Sequence, residues 1–261
     1  MSAGRRAIAL RDSRPPSLHI VQPAAALRRY VDHYWIALSN QEETHTVLPD
    51  GTVDLVLSSK QMDCRAELFG TTTTRVDVPL VLGSHYLGIC FRAGQSRHFF
   101  RRDATELTDS CVPVEVLDMQ SVDELATAVA QVDVHARLDA WLMRTLERRP
   151  PHHSVIDVAI QRIEFAGGNV CMGSLAGDYG KSLRQFERRF LETVGVSPKL
   201  FAQIVRFQQS LALLSTSTLP LAQLAAELGY ADQSHLSHAF SRFYGSPPSQ
   251  ARGHVAFLQD T

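Results

Sequence analysis

The sequence QLAAELGYADQSHLSHAFSRFYGSP, residues 223–247, decides the fold of the C-terminal part of this chain. A short apolar helix, a glycine, a polar turn and a second helix follow one another, which is the pattern of a helix-turn-helix unit. Leu236 and Phe240 lie four residues apart, so both should face inward from the second helix. Asp232 is its predicted N-cap, because aspartate readily accepts a hydrogen bond from the free amides that begin a helix.

The same arrangement occurs once before, in the sequence SLAGDYGKSLRQFERRFLETVGVSP, residues 174–198. Each copy has Leu-Ala in its first helix, a glycine turn, a polar cap, a second helix with an internal phenylalanine, and a glycine closely followed by proline. In this copy Ser182 is the predicted N-cap, and the predicted inward residues are Leu183, Phe186 and Phe190. One such unit alone is equally well an ordinary solvated helix face, but the repeat favours DNA as the partner.

The outer faces of the two second helices carry residue types that read DNA bases. Arg184 and Arg188 are four residues apart and stand together, while Ser234 and His238 hold the equivalent places. The major groove of B-DNA admits one helix, where arginine can bond two guanine acceptors and glutamine can pair with adenine. The predicted DNA-contacting residues are Ser182, Arg184, Gln185, Glu187, Arg188, Gln233, Ser234, His235, Ser237, His238 and Arg242.

Residues 154–253 or so resemble the C-terminal DNA-binding domain of AraC/XylS regulators. The resemblance is carried by GYADQSHLSHAF, residues 229–240, and by GSPPSQ, residues 245–250. It implies a long central helix, here from Pro198 to Leu214, that holds two recognition helices in register for successive major grooves about 34 Å apart. Two features depart from the family pattern.

The first departure is His238, which stands where the family usually has arginine. The second is a pair of glycines, Gly173 and Gly177, in the first helix of the first unit. Each costs a helix interior roughly 1 kcal/mol, so we expect that helix to be frayed.

The N-terminal half shows the two-residue period of β-strands. The predicted strands are residues 52–57, 75–78 and 86–91. Glycines and prolines separate them, which favours a small barrel or sandwich. The motifs LPDGTVDLV, residues 48–56, and GICFRAG, residues 88–94, resemble an uncharacterised β-rich domain found ahead of the AraC module in some bacterial regulators. That resemblance, over about residues 20–120, implies a sensing or dimerisation role and names no ligand.

From Ser121 onward the period becomes helical. One helix is predicted to begin at Ser121, and a second runs near Val134–Arg148. The inward residues of the second are Leu138, Trp141, Leu142 and Leu146. Their apolar face either pairs two subunits or covers the β-rich domain, and the pattern favours neither. Charge and two prolines in residues 148–153 mark the domain boundary.

These patterns predict an α+β chain of two domains. The N-terminal domain, residues 16–149, is a β-rich sensing or dimerisation domain with two trailing helices at about residues 121–148. The C-terminal domain, residues 154–261, is all-α, with two helix-turn-helix units joined by a long helix.

Charge and cysteine usage limit the function. The formal net charge of −1 argues against a uniformly basic DNA binder, but not against a basic recognition helix on a neutral domain. The cysteines are scattered, at Cys64, Cys90, Cys111 and Cys171, which predicts neither a disulfide framework nor a zinc site. No metal and no cofactor is expected. An enzyme is not predicted, because DNA-repair proteins that carry an AraC-type module need clustered zinc-ligand cysteines.

The predicted function is a sequence-specific transcription regulator that binds double-stranded DNA. No apolar run is long enough for a signal peptide or a membrane crossing, so the expected location is the bacterial cytoplasm, with no membrane partner. A small-molecule effector at the N-terminal domain, RNA polymerase and a homodimer partner stay open. The alternative is an effector-independent regulator whose N-terminal domain only mediates association. Asp50, Asp54 and Arg92 are candidates for an effector pocket, although turn capping by Asp50 and surface salt bridging by Arg92 are favoured.

Overall fold

A computed structural model of the chain describes residues 19–39, 43–60, 63–114, 133–180 and 182–251. A β-rich N-terminal part is followed by an all-helical C-terminal part, which confirms the predicted α+β class. The strands are β1 (His19–Val21), β2 (Val31–Leu38), β3 (Glu43–Val47), β4 (Val53–Lys60), β5 (Asp63–Phe69), β6 (Val76–Leu80), β7 (His85–Phe91) and β8 (Cys111–Pro113). The helices are α1 (Ala104–Leu107), α2 (Val134–Arg148), α3 (Val155–Phe165), α4 (Met172–Tyr179), α5 (Leu183–Val194), α6 (Pro198–Thr216), α7 (Leu221–Glu227) and α8 (Gln233–Tyr244).

An antiparallel sheet with the strand order β1-β2-β7-β4-β5-β8 forms the N-terminal part, and β3 pairs separately with β6. One face of this sheet is apolar, because the side chains of a strand alternate between its two faces. On that face Leu55 lies opposite Ile89 and Leu57 lies opposite Leu87, and all four are fully buried. The predicted strands match β4, β6 and β7.

Strand β2, which pairs with β1 and β7, was not predicted. Its pairing with β7 shifts register between Val31 and His33, so the two-residue period is interrupted there. The strand also buries both apolar and polar side chains, since Tyr34 and His33 are each enclosed. A strand of this kind gives no clean alternation in sequence.

Helix α2 covers the apolar face of the sheet. Leu138, Trp141 and Leu142 belong to the same buried cluster as the strands. Asp139 ties the helix to the sheet, since the Tyr34 hydroxyl donates to its Oδ1 at 2.7 Å. Of the two interpretations of this face, covering the β-domain is therefore correct, and it is not left free to pair subunits. The helix predicted to begin at Ser121 lies outside the described residues.

The C-terminal helices share one apolar core built around α6. Phe190 of α5 packs on Phe201, with ring centroids 5.6 Å apart, and Phe240 of α8 packs on Phe207 at 5.4 Å. Helix α6 begins at Pro198, as predicted, behind the N-cap Ser197. It therefore serves as the common support of both helix-turn-helix units. Among the described residues, no helix has the length and apolar character needed to cross a membrane.

Two local expectations were wrong. Leu183 does not face inward but is 45% exposed, because it is the first residue of α5 and lies beyond the edge of the core. Helix α4 is continuous through Gly173 and Gly177 rather than frayed. Tyr179 holds its C-terminal end, with its ring 5.8 Å from that of Phe186.

Candidate nucleic-acid interface

The start of α5 is fixed by a capping box. The Ser182 hydroxyl accepts from the Gln185 backbone amide at 3.3 Å, and Gln185 Oε1 accepts from the Ser182 amide at 3.3 Å. Such reciprocal bonds satisfy two of the amides left free at a helix N-terminus. The N-cap prediction for Ser182 is confirmed. Both predicted DNA-contacting side chains at this end are thus engaged in holding the helix.

The outer face of α5 is exposed and charged. Arg184, Glu187 and Arg188 all lie on the surface, and the side chain of Arg188 is 66% exposed, with Nε 3.7 Å from Glu192 Oε1. Arg189 approaches the other oxygen of the same carboxylate at 3.1 Å. Exposed ion pairs of this kind contribute only about 0–1 kcal/mol. The arginines can therefore exchange Glu192 for a phosphate or a base at small cost.

The start of α8 is organised differently. Asp232 Oδ1 accepts from the His235 amide at 2.7 Å, which confirms Asp232 as the N-cap. The Nδ1 atom of His235 accepts from the Ala231 amide at 3.3 Å, and its ring stands edge-on to Tyr230, with the centroids 5.3 Å apart. With Nδ1 occupied as an acceptor, Nε2 carries the proton and can donate. Sequence reasoning missed this orienting role of Tyr230, although an aromatic residue just before the cap was a visible signal.

The remaining predicted residues of α8 divide into two groups. Gln233, Ser234 and His238 are exposed, and Ser237 is half-buried. Arg242 lies in the last turn, where it reaches Gln203 of α6 at 3.4 Å and covers the ring of Phe243 at 5.2 Å. The structure thus brings the first group together near the start of α8 and separates Arg242 from it.

A polar cluster lies on the opposite face of the β-sheet from the apolar core. Across β2, β7 and β4, Cys90 lies between His33 and Asp54. Trp35 Nε1 donates to Asp54 Oδ2 at 3.1 Å, whereas Oδ1 is enclosed without an N–H or O–H donor. The weakly donating Cys90 thiol lies against the carboxylate and opposes the rise of its pKa. Burial, and then the neighbouring charge of Asp50, raise the pKa of Asp54 to about 6. A buried carboxylate oxygen without a hydrogen-bond donor is costly.

The other two candidates for an effector pocket have structural roles. Asp50 caps a turn, accepting from the Thr52 amide at 2.9 Å and from its hydroxyl at 2.8 Å. Arg92 forms an ion pair with Asp32 at 3.0 Å. Both favoured predictions are confirmed. Within the described ranges, no group of three histidine, cysteine or acidic side chains is arranged to hold a metal ion.

Comparison with known proteins identifies both parts of the chain. Residues 19–113 match the family described as a domain of unknown function, DUF6597, and residues 175–254 match a helix-turn-helix domain. The arabinose operon regulatory protein of Escherichia coli K12 is 28% identical over 122 residues, which are 44% of this chain and 42% of that protein. The RCS-specific transcriptional activator RclR of the same organism is 30% identical over 130 residues, 50% of this chain and 43% of that protein.

A solved DNA-binding domain is also similar. The domain of AdpA, a global transcriptional factor, in complex with a target DNA is 25% identical, with a TM-score of 0.36, over 39% of this chain and 92% of that chain. The chain spans about 42–43% of the length of the two curated relatives. It combines a domain of the DUF6597 family with an AraC-type helix-turn-helix domain, and its homologues are AraC-family regulators.

Proposed function

We propose that this chain is a DNA-binding transcription regulator that places α5 and α8 in two successive major grooves. The observation that carries the proposal is the repeated geometry of the two helices. Each is capped by a side chain at its first turn, and each ends at a left-handed glycine. Both rest on α6 through buried phenylalanines. Two such helices on one common support are what the reading of two successive grooves requires.

The exposed side chains support a division of roles between the units. Helix α5 presents Arg184 and Arg188, while the equivalent positions of α8 hold Ser234 and His238. The first unit therefore supplies more positive charge, and the second relies on neutral donors and acceptors. Side chains with hydrogen-bond donors and acceptors, such as Arg184 and Arg188 on α5 or Ser234 and His238 on α8, can read base edges when they face the major groove.

The direct experiment is selection of binding sites from randomised duplex DNA by the full-length protein. We expect a motif of two half-sites about one helical turn apart, with an affinity that falls as salt increases. The double variant Arg184→Ala/Arg188→Ala should select no such motif and should show no salt-dependent affinity. Arg101→Ala/Arg102→Ala removes the same charge from exposed positions of the β-domain and is the matched control. The absence of any enriched, salt-sensitive binding would refute the function.

We also propose the division into domains at residues 16–149 and 154–261. Two separate apolar clusters support it, although Leu48 and Ala93 of the N-terminal part join the C-terminal core. Residues 154–261 alone should fold and bind DNA, with a lower melting temperature because that core is incomplete. A fragment that is folded by circular dichroism but shows no salt-sensitive affinity for DNA would contradict this division.

We propose further that a small-molecule effector acts at the β-rich domain through Asp54. The enclosed Oδ1 atom needs a donor, so amine- and hydroxyl-bearing metabolites are the class to screen. Thermal-shift measurements should find a compound that stabilises the wild type and not Asp54→Asn, since binding to the native state alone raises the melting temperature. A screen in which no compound separates the two proteins supports the effector-independent alternative. RNA polymerase and a second copy of the chain stay predictions from the sequence.

A further inference from the structure

The two predicted reading helices end in equivalent turns. Helix α5 ends at Gly195 with φ +89°, and α8 ends at Gly245 with φ +88°. The carbonyl groups of a last helical turn have no partner within the helix, so such turns need contacts from elsewhere. In this chain the β-rich domain touches both turns.

The turn after α5 is held by hydrogen bonds from the β-rich domain. The Thr108 hydroxyl donates to the Gly195 carbonyl at 2.7 Å, and the Thr71 hydroxyl lies 3.1 Å from the Val194 carbonyl. A Cβ atom added to Gly195 would lie 2.8 Å from the Ala104 carbonyl oxygen, so the two parts are in close backbone contact. The turn after α5 is therefore attached to the β-rich domain through hydrogen bonds and close backbone packing.

The turn after α8 is held more lightly, by Arg75. A Cβ atom at Gly245 would lie 3.7 Å from Arg75 Cδ, so the aliphatic stem of the arginine packs on the turn. Burial raises the pKa of the adjacent Tyr244, and the Arg75 charge opposes this shift. Asp77 fixes the guanidinium, with Nε at 3.0 Å and Nη2 at 3.1 Å from its two oxygens. The guanidinium is therefore paired within the β-rich domain, and the aliphatic stem is the part of Arg75 that packs on the turn.

A third contact lies between the two turns, on α6. Gln208 Nε2 donates to the Pro49 carbonyl at 2.6 Å. Gly51 packs so closely on Phe201 that an added Cβ would lie 2.5 Å from its ring. Helix α6 has 19 residues, or about 28 Å at 1.5 Å per residue, and long helices curve gently. The β-rich domain contacts the turn before α6, α6 itself and the turn after α8.

We propose that the β-rich domain is a brace across the backs of both reading helices, which fixes the angle between them and so the half-site spacing that the protein accepts. The positioning residues are Thr71, Thr108 and Arg75. They contact the C-terminal ends of α5 and α8, and the exposed residues at the helix starts stay free for DNA. The link to half-site spacing rests on the proposed DNA-binding function, whereas the brace itself does not.

The brace is tested first without DNA, by the distance between spin labels on the two helices. Labels at Glu187→Cys and Ser234→Cys are introduced in the full chain after Cys64, Cys111 and Cys171 are changed to serine. Electron paramagnetic resonance should give one narrow distance distribution for this protein. It should broaden by roughly twofold or more when a contact to the turn after α5 or after α8 is removed, as in Thr108→Val, in Thr71→Val/Thr108→Val and in Arg75→Ala.

Two matched controls separate bracing from general damage. Thr73→Val removes a hydroxyl that bonds only Asp109 on the surface, and Arg75→Met keeps an aliphatic stem without the charge. Both should keep the narrow distribution. Circular dichroism shows whether each variant is folded. If Thr71→Val/Thr108→Val is not folded, the label distance is measured on Thr108→Val alone. Folded brace variants with the narrow distribution of the parent would overturn the proposal.

The second test uses a DNA site selected by the wild type and the same site with one base pair inserted between its halves. The wild type should lose about tenfold in affinity on the insertion, and the brace variants only about threefold, because a flexible protein follows the displaced half-site. Affinity for the original site should stay within about twofold. Variants that discriminate as well as the wild type refute the role in spacing. A wild type that binds no DNA refutes the proposed function, and the label distances then decide the brace.

Discussion

At the scale of single residues, a few buried polar groups lower the free energy of unfolding of this chain. Asp54 is the clearest case, because its carboxylate is buried on one face of the sheet, with one oxygen accepting from Trp35 and the other without an N–H or O–H donor. Its pKa is raised from 3.8 to about 6. Between these values the native state binds more protons than the unfolded state, so the free energy of unfolding falls as pH rises through that window.

Asp54→Asn should therefore stabilise the protein at high pH. Asparagine keeps an acceptor for Trp35 and removes the buried charge, which is worth up to about 3 kcal/mol for a shift of two units. We expect a higher free energy of unfolding than the wild type at pH 8 and little difference near pH 4, by urea denaturation. Asp77→Asn should behave oppositely, because a hydrogen bond from Thr46, together with Arg75, lowers the pKa of Asp77. Equal effects of Asp54→Asn at both pH values would contradict the assignment.

Arg188 gives a prediction about base reading. If its guanidinium bonds a guanine edge, Arg188→Ala should cost roughly 1–3 kcal/mol on the selected site and relax the preference at one base pair. Arg189→Ala removes the same charge from the neighbouring position and should weaken all sequences alike. Binding measured on every single-base variant of the site distinguishes them. A uniform loss for Arg188→Ala would make it a phosphate contact instead.

At the level of elements, the glycine turns that follow the helices differ in how closely the rest of the protein packs against them. Gly180 and Gly195 both have positive φ, at +64° and +89°. A Cβ atom added to Gly180 would meet nothing within 4 Å, whereas one added to Gly195 would lie 2.7 Å from the Thr108 hydroxyl oxygen. A side chain at Gly180 meets only the strain of left-handed backbone. A side chain at Gly195 must also displace the β-rich domain.

Gly180→Ala should accordingly cost about 1–2 kcal/mol, and Gly195→Ala should cost a further 1–3 kcal/mol from overpacking. Urea denaturation of the two variants measures the difference directly. Both changes remove one glycine and add one methyl group, so the unfolded states are affected alike. Equal losses of unfolding free energy in the two variants would show that the contact between Gly195 and the β-rich domain adjusts to the added methyl group without destabilising the fold.

The elements also show how far patterns in the sequence reach. The repeated helices α5 and α8 were predicted from their polar caps and spaced phenylalanines, because those signals are local. Strand β2 was missed because its register shift interrupts the alternation. Leu183 was misplaced because helical spacing does not show where the core ends.

For the whole molecule, Asp157 joins the two parts. It accepts from Arg97 Nη2 at 2.7 Å and from Gln95 Nε2 at 3.0 Å, and it caps α3 through the Ser154 amide at 2.8 Å. Burial alone would raise its pKa, but the Ser154 bond and the Arg97 charge outweigh burial and lower it. One carboxylate thus holds both a helix start and the contact between the parts.

This arrangement predicts loss of stability in acid. With a native pKa below its ordinary value, Asp157 stabilises the fold at pH values above about 3.8. That contribution disappears as pH falls through the lowered value. Asp157→Asn should lower the melting temperature at pH 7, and below pH 4 its melting temperature should depend less on pH than that of the wild type. Arg97→Met should show part of both effects. A wild-type acid transition that survives unchanged in Asp157→Asn would assign it to other carboxylates.

The sequence by itself determined the helical repeat, the strands β4, β6 and β7, and the candidate reading residues, and its resemblance to AraC/XylS regulators implied the long helix between the repeated units. The repeat and the strands follow from local signals, since caps, turns and side-chain periods act within a few residues. Only the tertiary structure decided that α2 covers the sheet, that Asp54 is buried with Oδ1 lacking an N–H or O–H donor, and that the β-rich domain contacts the turns at Gly195 and Gly245. Those contacts join residues far apart in the chain, such as Thr71 and Val194. No local pattern encodes them, because neither partner carries a signal in its own stretch of sequence for a residue so far along the chain.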